Sequence, residues 1–307
     1  MKELKPPVKI IVAKSAGVCF GVERALNLSE KALAELGQGC KPDDSTDPTQ
    51  KSGSISSLGP LIHNPQTVAE LSSRGLAVAG SLDDISGTVV FRSHGVPIQI
   101  QEEAERRGLK IVDATCPLVK VPQKFAQKLS RDGYFVVIVG DKDHPEVKGV
   151  KSYVANGEVA VVSGPEEVFE LTKKDKVGVI CQTTLKKSVF LAVVERCQSL
   201  FGEVKVHNTI CSATKDRQDA AYELAEGTEC VVVIGGRNSS NTQKLYDICN
   251  DEGSQKAHLI ETEDEIQASW FEGVGTIGIT AGASTPHALI DRVFERISNI
   301  VGSTNTL

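Results

Sequence analysis

The sequence predicts an α/β protein assembled from one kind of unit used three times. Short β-branched apolar runs alternate with amphipathic stretches from end to end, and cysteine-bearing polar motifs recur at intervals of 97 and 95 residues. Each polar motif also falls just past an apolar run, the strand end where parallel sheets carry their ligand sites.

Taken in order, the predicted strands are Val8 to Val12, Val89 to Phe91, Ile111 to Val112, Phe135 to Val139, Val177 to Ile180, Val204 to Val206, Val231 to Ile234 and Thr276 to Ile279. Helical spacing joins Val22, Ala25, Leu26, Leu33 and Leu36, and again Val189, Leu191, Val194 and Leu200. The last helix is expected to open with Thr285 as cap and Pro286 at its first position.

The repeat is clearest in its polar residues. Each third opens on a cysteine motif: AGVCFGV at Cys19, DATCP at Cys116 and NTICSAT at Cys211. Two further motifs follow in each: IHNP at His63 and RSHG at His94; DHPE at His144 and CQTT at Thr183; GGRNSSN at Ser239 and TAGAST at Ser284. In the second and third units the first of these lies 28 residues after the cysteine. Domains are therefore expected at 1–115, 116–210 and 211–307. Cys40 to Ser57, rich in Ser, Thr, Asp, Lys, Pro and Gly, reads as a flexible surface insertion in the first. Three units meeting by their strand ends would make one central site.

Composition narrows the function. With 40% apolar residues in 307, each domain can bury a core. A net charge of −6, from 34 basic and 40 acidic residues without a basic tract, argues against nucleic acid or an anionic membrane as partner. Met1 to Ile11 has no apolar stretch of signal length and nowhere do 18 apolar residues run together, so a cytoplasmic protein is expected. In a reducing compartment the eight cysteines are metal ligands, nucleophiles or packing before they are disulfides.

Cys19, Cys116 and Cys211 lie too far apart for a zinc ribbon or a local ferredoxin spacing, but their equivalent placement marks them as joint ligands. Three thiolates can hold a cubane iron–sulfur cluster and leave its fourth iron open to substrate oxygen. Burial as small apolar residues is the plainer alternative. His63, His94 and His144 can donate hydrogen bonds to a phosphate-sized anion, or equally hold zinc. GGRNSSN offers backbone N–H groups with Ser239, Ser240 and Asn241 to an anion, but without the lysine of a nucleotide-binding P-loop. Ser284 and Thr285 either bind an anion or cap a helix. Glu146 is the candidate proton donor, because loss of water from a C–O bond requires one. Thr183 and Thr184 end an apolar strand and can relay that proton.

With these motifs in hand, the chain resembles the 4-hydroxy-3-methylbut-2-enyl diphosphate reductases over about Ile10 to Ile300. AGVCFGVERAL, LGPLIHNPQTVAEL, RSHGVP, DATCPLVKVPQK, GDKDHPEVKG, QTTL, NTICSATKDRQ, GGRNSSNTQKL and TAGASTP, in that order, carry the resemblance. It implies a cloverleaf of three pseudo-threefold-related α/β domains with small, mostly parallel sheets around one 4Fe-4S cluster. It implies cluster ligands at Cys19, Cys116 and Cys211, a diphosphate on His63, His94, His144, Ser239, Ser240, Asn241 and Ser284, and proton delivery by Glu146 with Thr183. The implied reaction is two-electron reductive dehydroxylation to isopentenyl and dimethylallyl diphosphate, in isoprenoid biosynthesis. Ferredoxin or flavodoxin would supply the electrons, and a monomer is expected. The insertion departs from the family pattern and puts the first domain's edge strand in doubt. Cys40, Cys181, Cys197, Cys230 and Cys249 match no ligand position, and the last four read as packing. Two rivals stand beside this: a three-cysteine cluster dehydratase resembling quinolinate synthase, and a non-redox zinc or phosphate-binding protein.

Overall fold

Parallel strands joined through helices explain why the apolar runs are nearly uninterrupted, since such sheets are covered on both faces. The computed structural model describes residues 7–39, 54–155, 157–171, 174–251 and 257–302. Its strands are β1 (Lys9–Val12), β2 (Ile55–Leu58), β3 (Leu76–Ala79), β4 (Thr88–Phe91), β5 (Lys110–Asp113), β6 (Phe135–Val139), β7 (Val159–Val162), β8 (Lys176–Cys181), β9 (Glu203–Val206), β10 (Cys230–Ile234), β11 (Ala257–Ile260) and β12 (Thr276–Ala281). The helices are α1 (Phe20–Gly39), α2 (Pro65–Ser73), α3 (Ile98–Arg106), α4 (Lys120–Arg131), α5 (Pro145–Lys151), α6 (Lys187–Leu200), α7 (Ser212–Gly227), α8 (Ser240–Asp251) and α9 (His287–Val301).

The described strands form three four-stranded parallel sheets with one topology, ordered β3-β2-β4-β5, β7-β6-β8-β9 and β11-β10-β12-β1. In each, the chain runs from an inner strand to one edge and returns to the second inner strand. The order reverses between those two inner strands, where side chains from their carboxyl ends can meet around a ligand.

The chain divides into two compact units, Phe20–Ile210 and residues 1–19 with 211–307. The first holds two of the sheets. Fully buried Phe91 and Val89 pack with Leu82 and Ala104 in one, and Val137, Val179, Phe190 and Val193 in the other. Sheet-to-sheet ties within this unit include the Ile98 N–H donating to Ser152 Oγ at 2.9 Å.

In the second unit β1 completes the sheet, pairing Lys9 with Thr276 through Val12 with Ile279. The expected domain 1–115 is corrected here: its first strand lies in the sheet of the last third. The sheet of β2 to β5 already has four strands, whereas β12 would otherwise present a bare edge, and Val8, Ile10 and Val12 fill the core beside Ile277 and Ile279.

Three further expectations change. Residues 40–53 of the insertion, Cys40 among them, lie outside the described residues, but Ile55–Leu58 is an inner strand with Ile55, Ser56 and Ser57 buried, not a flexible surface segment. On α6 the inward stripe is Phe190, Val193, Val194 and Cys197, while Leu191 and Leu200 face outward. Helix α9 begins at His287, one residue later than expected, with Pro286 in the cap position, because the Thr285 hydroxyl is bonded to the Ile234 carbonyl at 3.0 Å rather than to the helix.

Candidate functional site

The fold places four polar loops of the Phe20–Ile210 unit after its four inner strands, β2, β4, β6 and β8. His63 and His144 each stand five residues past the end of a strand, and each precedes a helix opened by proline, α2 and α5. His94 lies three residues beyond β4, at the place Thr184 holds beyond β8. The loops are stitched together by main chain. The Ser93 N–H donates to the Leu61 carbonyl at 3.3 Å, and the Ser93 carbonyl accepts from the Cys116 N–H at 2.9 Å. Gly95, at φ +75°, lets this turn pass Gln123, whose Nε2 would stand 2.9 Å from any Cβ there.

The three imidazoles converge. Ring centroids of His63 and His94 are 4.4 Å apart, with His144 at 5.7 and 5.5 Å from them. One nitrogen from each lies within 4.8 Å of the others. Burial lowers all three below the ordinary imidazole pKa, His94 well below and His144 to about 4. They are neutral at pH 7. His144 Nδ1 accepts from the Glu146 N–H at 3.2 Å, so its proton sits on Nε2 and is available to a ligand.

Geometry alone would suit zinc as well as an anion. Arg92 favours the anion. This guanidinium depresses the pKa of all three histidines, burial lowers its own, and its Nε, like His94 Nδ1, is buried without a hydrogen-bond partner among the described residues. A fixed positive charge repels a cation and attracts an anion, most strongly where water is excluded. Sequence reasoning passed over Arg92; the signal was a lone basic residue directly after the apolar run Val89 to Phe91 of β4.

Glu146 lies on α5, only 1% exposed, not in an open loop. Its Oε1 accepts from the Thr183 N–H and its Oε2 from the Thr183 hydroxyl, both at 2.6 Å. Burial raises its pKa to about 7, against which the Thr183 bonds act more weakly. Thr183 sits in the turn after β8, 4% exposed; Thr184 instead accepts from Gln182 Nε2 at 2.9 Å. A carboxyl titrating near neutrality, joined to a hydroxyl, is suited to passing a proton.

The second unit carries the remaining candidates after β10 and β12. Ser239 and Ser284 are buried, and Ser239 Oγ accepts from the Thr242 N–H at 3.3 Å, leaving Ser240 half-buried at the start of α8. Both side-chain polar atoms of the buried Asn241 have no hydrogen-bond partner among the described residues. Buried amides are rarely left so, and a polar ligand would satisfy this one. Gly282 admits Thr242, whose Oγ1 would lie 2.1 Å from a Cβ at that position. Arg237 of the same loop points elsewhere, to Glu265 at 2.5 Å and Glu261 at 3.5 Å.

Cys19, Cys116 and Cys211 are half-buried, each between an edge strand (β1, β5, β9) and a helix. Cys211 caps α7, its Sγ accepting from the Thr214 N–H at 3.3 Å. In the same unit the Arg217 guanidinium, bonded to the Gly17 carbonyl at 2.6 Å, feels the charges of both Cys19 and Cys211. The donor chemistry fits a thiolate-held metal group. By contrast Cys181, Cys197, Cys230 and Cys249 are fully buried in the cores, and burial raises Cys181 and Cys197 to about 11 and Cys249 to about 12. Thiols so held are packing.

Comparison with known proteins agrees in length and sequence. The sequence model of the LytB protein family matches residues 10–298. The chain is 47% identical over 291 residues to the 4-hydroxy-3-methylbut-2-enyl diphosphate reductase of Geobacter sulfurreducens, covering 94% of this chain and 97% of that one. With the Aquifex aeolicus reductase it shares 42% over 296 residues, 95% of this chain and 97% of the other. Among solved structures it resembles (E)-4-hydroxy-3-methyl-but-2-enyl diphosphate reductase, the terminal enzyme of the non-mevalonate pathway, at TM-score 0.67 and 41% identity, covering 95% and 99% of the two chains. It also resembles the Plasmodium falciparum E-1-hydroxy-2-methyl-but-2-enyl-4-diphosphate reductase, at TM-score 0.86 and 25% identity, over 96% and 89%.

Proposed function

The chain belongs to the LytB protein family, and from that premise we propose that it reduces (E)-4-hydroxy-3-methylbut-2-enyl diphosphate to isopentenyl and dimethylallyl diphosphate. The observation that carries this is the pairing, in one unit, of an anion-seeking cluster of Arg92 and three neutral histidines with a buried carboxyl titrating near pH 7. The first suits the diphosphate. The second suits departure of the hydroxyl as water.

In this reading His63, His94 and His144 donate hydrogen bonds to diphosphate oxygens, with Arg92 supplying the balancing charge. Ser239, Ser240, Asn241 and Ser284 are assigned to the same group on the strength of the threefold repeat and the partnerless Asn241 amide. Glu146, protonated, passes its proton through the Thr183 hydroxyl toward the leaving oxygen. Two electrons and two protons are consumed per substrate: the C–O bond breaks, one proton leaves in water, and the other adds at either end of the allyl unit, giving the two products.

Cys19, Cys116 and Cys211 would hold a cluster of four irons and four sulfides, which would supply the electrons and Lewis-acid chemistry at the hydroxyl. The protein's part is to hold it by three thiolates from equivalent places in the repeat. Ferredoxin or flavodoxin delivers the electrons to a monomer in the cytoplasm. No described helix is long and apolar enough to cross a membrane.

The test is anaerobic turnover with reduced viologen, with iron, sulfide and zinc measured on the same protein. Brown protein forming both five-carbon diphosphates is expected. Brown protein inert to this substrate would overturn the reaction, and a colourless zinc protein would overturn the cluster as well.

A further inference from the structure

Helix α4 begins four residues after Cys116 and carries Lys120, Lys124, Lys128 and Arg131 without a single acidic residue, in a chain whose net charge is −6. Lys120 is engaged by Asp113 at 2.5 Å. The other three are exposed and recur at helical spacing along one ridge. The ridge continues toward Cys116 through exposed Val121, Leu118 and Pro117; Leu118 and Val121 are each 37% exposed, among the few large apolar side chains left to water. At 1.5 Å of rise per residue Val121 lies within about 8 Å of Cys116 along the axis. Lys205 widens the basic surface at the far end, beside the ring of His207, which stacks on Phe125 of α4 at 3.9 Å. Acids beside this surface are Asp113, already paired, Asp132, 4.0 Å from Lys205, and Glu203, which also feels the Lys205 charge.

We propose that this ridge is the docking surface for a small acidic protein that carries one electron at a time. The inference rests on the reading of Cys116 as a cluster ligand. A small apolar centre with a charged rim is what transient electron-transfer contacts use, because the charges accelerate encounter while the limited area allows quick release. The sign selects the partner: an acidic surface is steered to the ridge and repelled by the rest of this acidic chain. Two carriers dock in succession for each substrate, each oxidised by one electron, and the substrate takes up both electrons with two protons as water leaves.

The test compares two reductants on the same protein, a reduced acidic plant-type ferredoxin and reduced methyl viologen, a small radical cation, in the unaltered chain and in Lys124→Glu/Lys128→Glu/Arg131→Glu. Charge reversal is expected to lower the rate at limiting ferredoxin by about 10-fold or more and to flatten its dependence on ionic strength, with the viologen rate held within about 2-fold. The milder Lys124→Gln/Lys128→Gln pair should move in the same direction. An unchanged ferredoxin rate, or an equal fall with both reductants in both variants, overturns the docking surface. An unaltered chain inert even with viologen overturns the reductase reading on which it stands.

Discussion

Replacing Glu146 by Gln keeps the shape of a buried side chain and removes its charge and its proton. Both carboxyl oxygens now accept from Thr183, at 2.6 Å each. The amide retains one acceptor and turns a donor toward the hydroxyl, which can rotate to accept it, so the exchange costs on the order of 1 kcal/mol. Against this stands the ionisation of the carboxyl. Burial raises its pKa from 4.5 to about 7, which at 1.36 kcal/mol per unit is roughly 3 kcal/mol. The contribution is present in full below pH 4.5, where folded and unfolded chains are both protonated, and is lost as pH rises through about 7. The Gln variant has no such loss. It should therefore be less stable than the unaltered protein at pH 4 and more stable at pH 8, a reversal visible in thermal unfolding followed by circular dichroism; other titrating groups cancel in the difference. Turnover should fall by ~10² or more with iron content unchanged. A variant less stable by the same amount at both pH values would refute the buried-acid argument, and unaltered turnover would remove Glu146 from the reaction.

Three further outcomes follow from the same geometry. Thr183→Val should lower turnover by about 10-fold or more while Thr183→Ser restores most of it, since only the hydroxyl is needed; equal losses in a steady-state assay would make Thr183 a packing residue. Arg92→Gln should weaken binding of inorganic diphosphate by about 10-fold in calorimetry and raise the pKa of His144 from about 4 in an NMR titration, as the guanidinium no longer opposes its protonation; tighter zinc binding without loss of diphosphate would favour a metal site instead. Cys116→Ala should leave a folded, colourless protein with iron well below the unaltered level, whereas Cys249→Ala should keep its iron and lose stability by about 1–3 kcal/mol.

The α/β class was legible because buried parallel strands are apolar without interruption, as Val231 to Ile234 shows. Strands with a polar interruption or at a sheet edge were not. Ile55–Leu58 has two central serines that are buried nonetheless and Ala257–Ile260 carries a histidine, while Leu76–Ala79 and Val159–Val162, though apolar throughout, are short edge strands containing alanine. The partnership of β1 with β12 joins residues more than 250 positions apart, which no local pattern encodes. The expected cap at Thr285 failed for a related reason: its hydroxyl answers a carbonyl 51 residues away.

Candidate site residues were legible where the repeat placed them. His63 and His144 keep the same distance from their strands, and Glu146 stood next to one of them. What spacing could not convey was environment: that Glu146 is sealed from water, that its oxygens both meet Thr183, and that Arg92 charges the histidine cluster. Those properties arise from packing between two sheets and decide the chemistry. They weigh toward the anion reading of three histidines whose spacing alone suits a metal equally well.

The most direct test of the account is the electron balance of a single anaerobic experiment, counting reduced viologen oxidised against five-carbon diphosphates formed from (E)-4-hydroxy-3-methylbut-2-enyl diphosphate. The account predicts two electrons for each product molecule, with isopentenyl and dimethylallyl diphosphate both present. Substrate consumed without viologen oxidation, or viologen oxidised without either product, would contradict it.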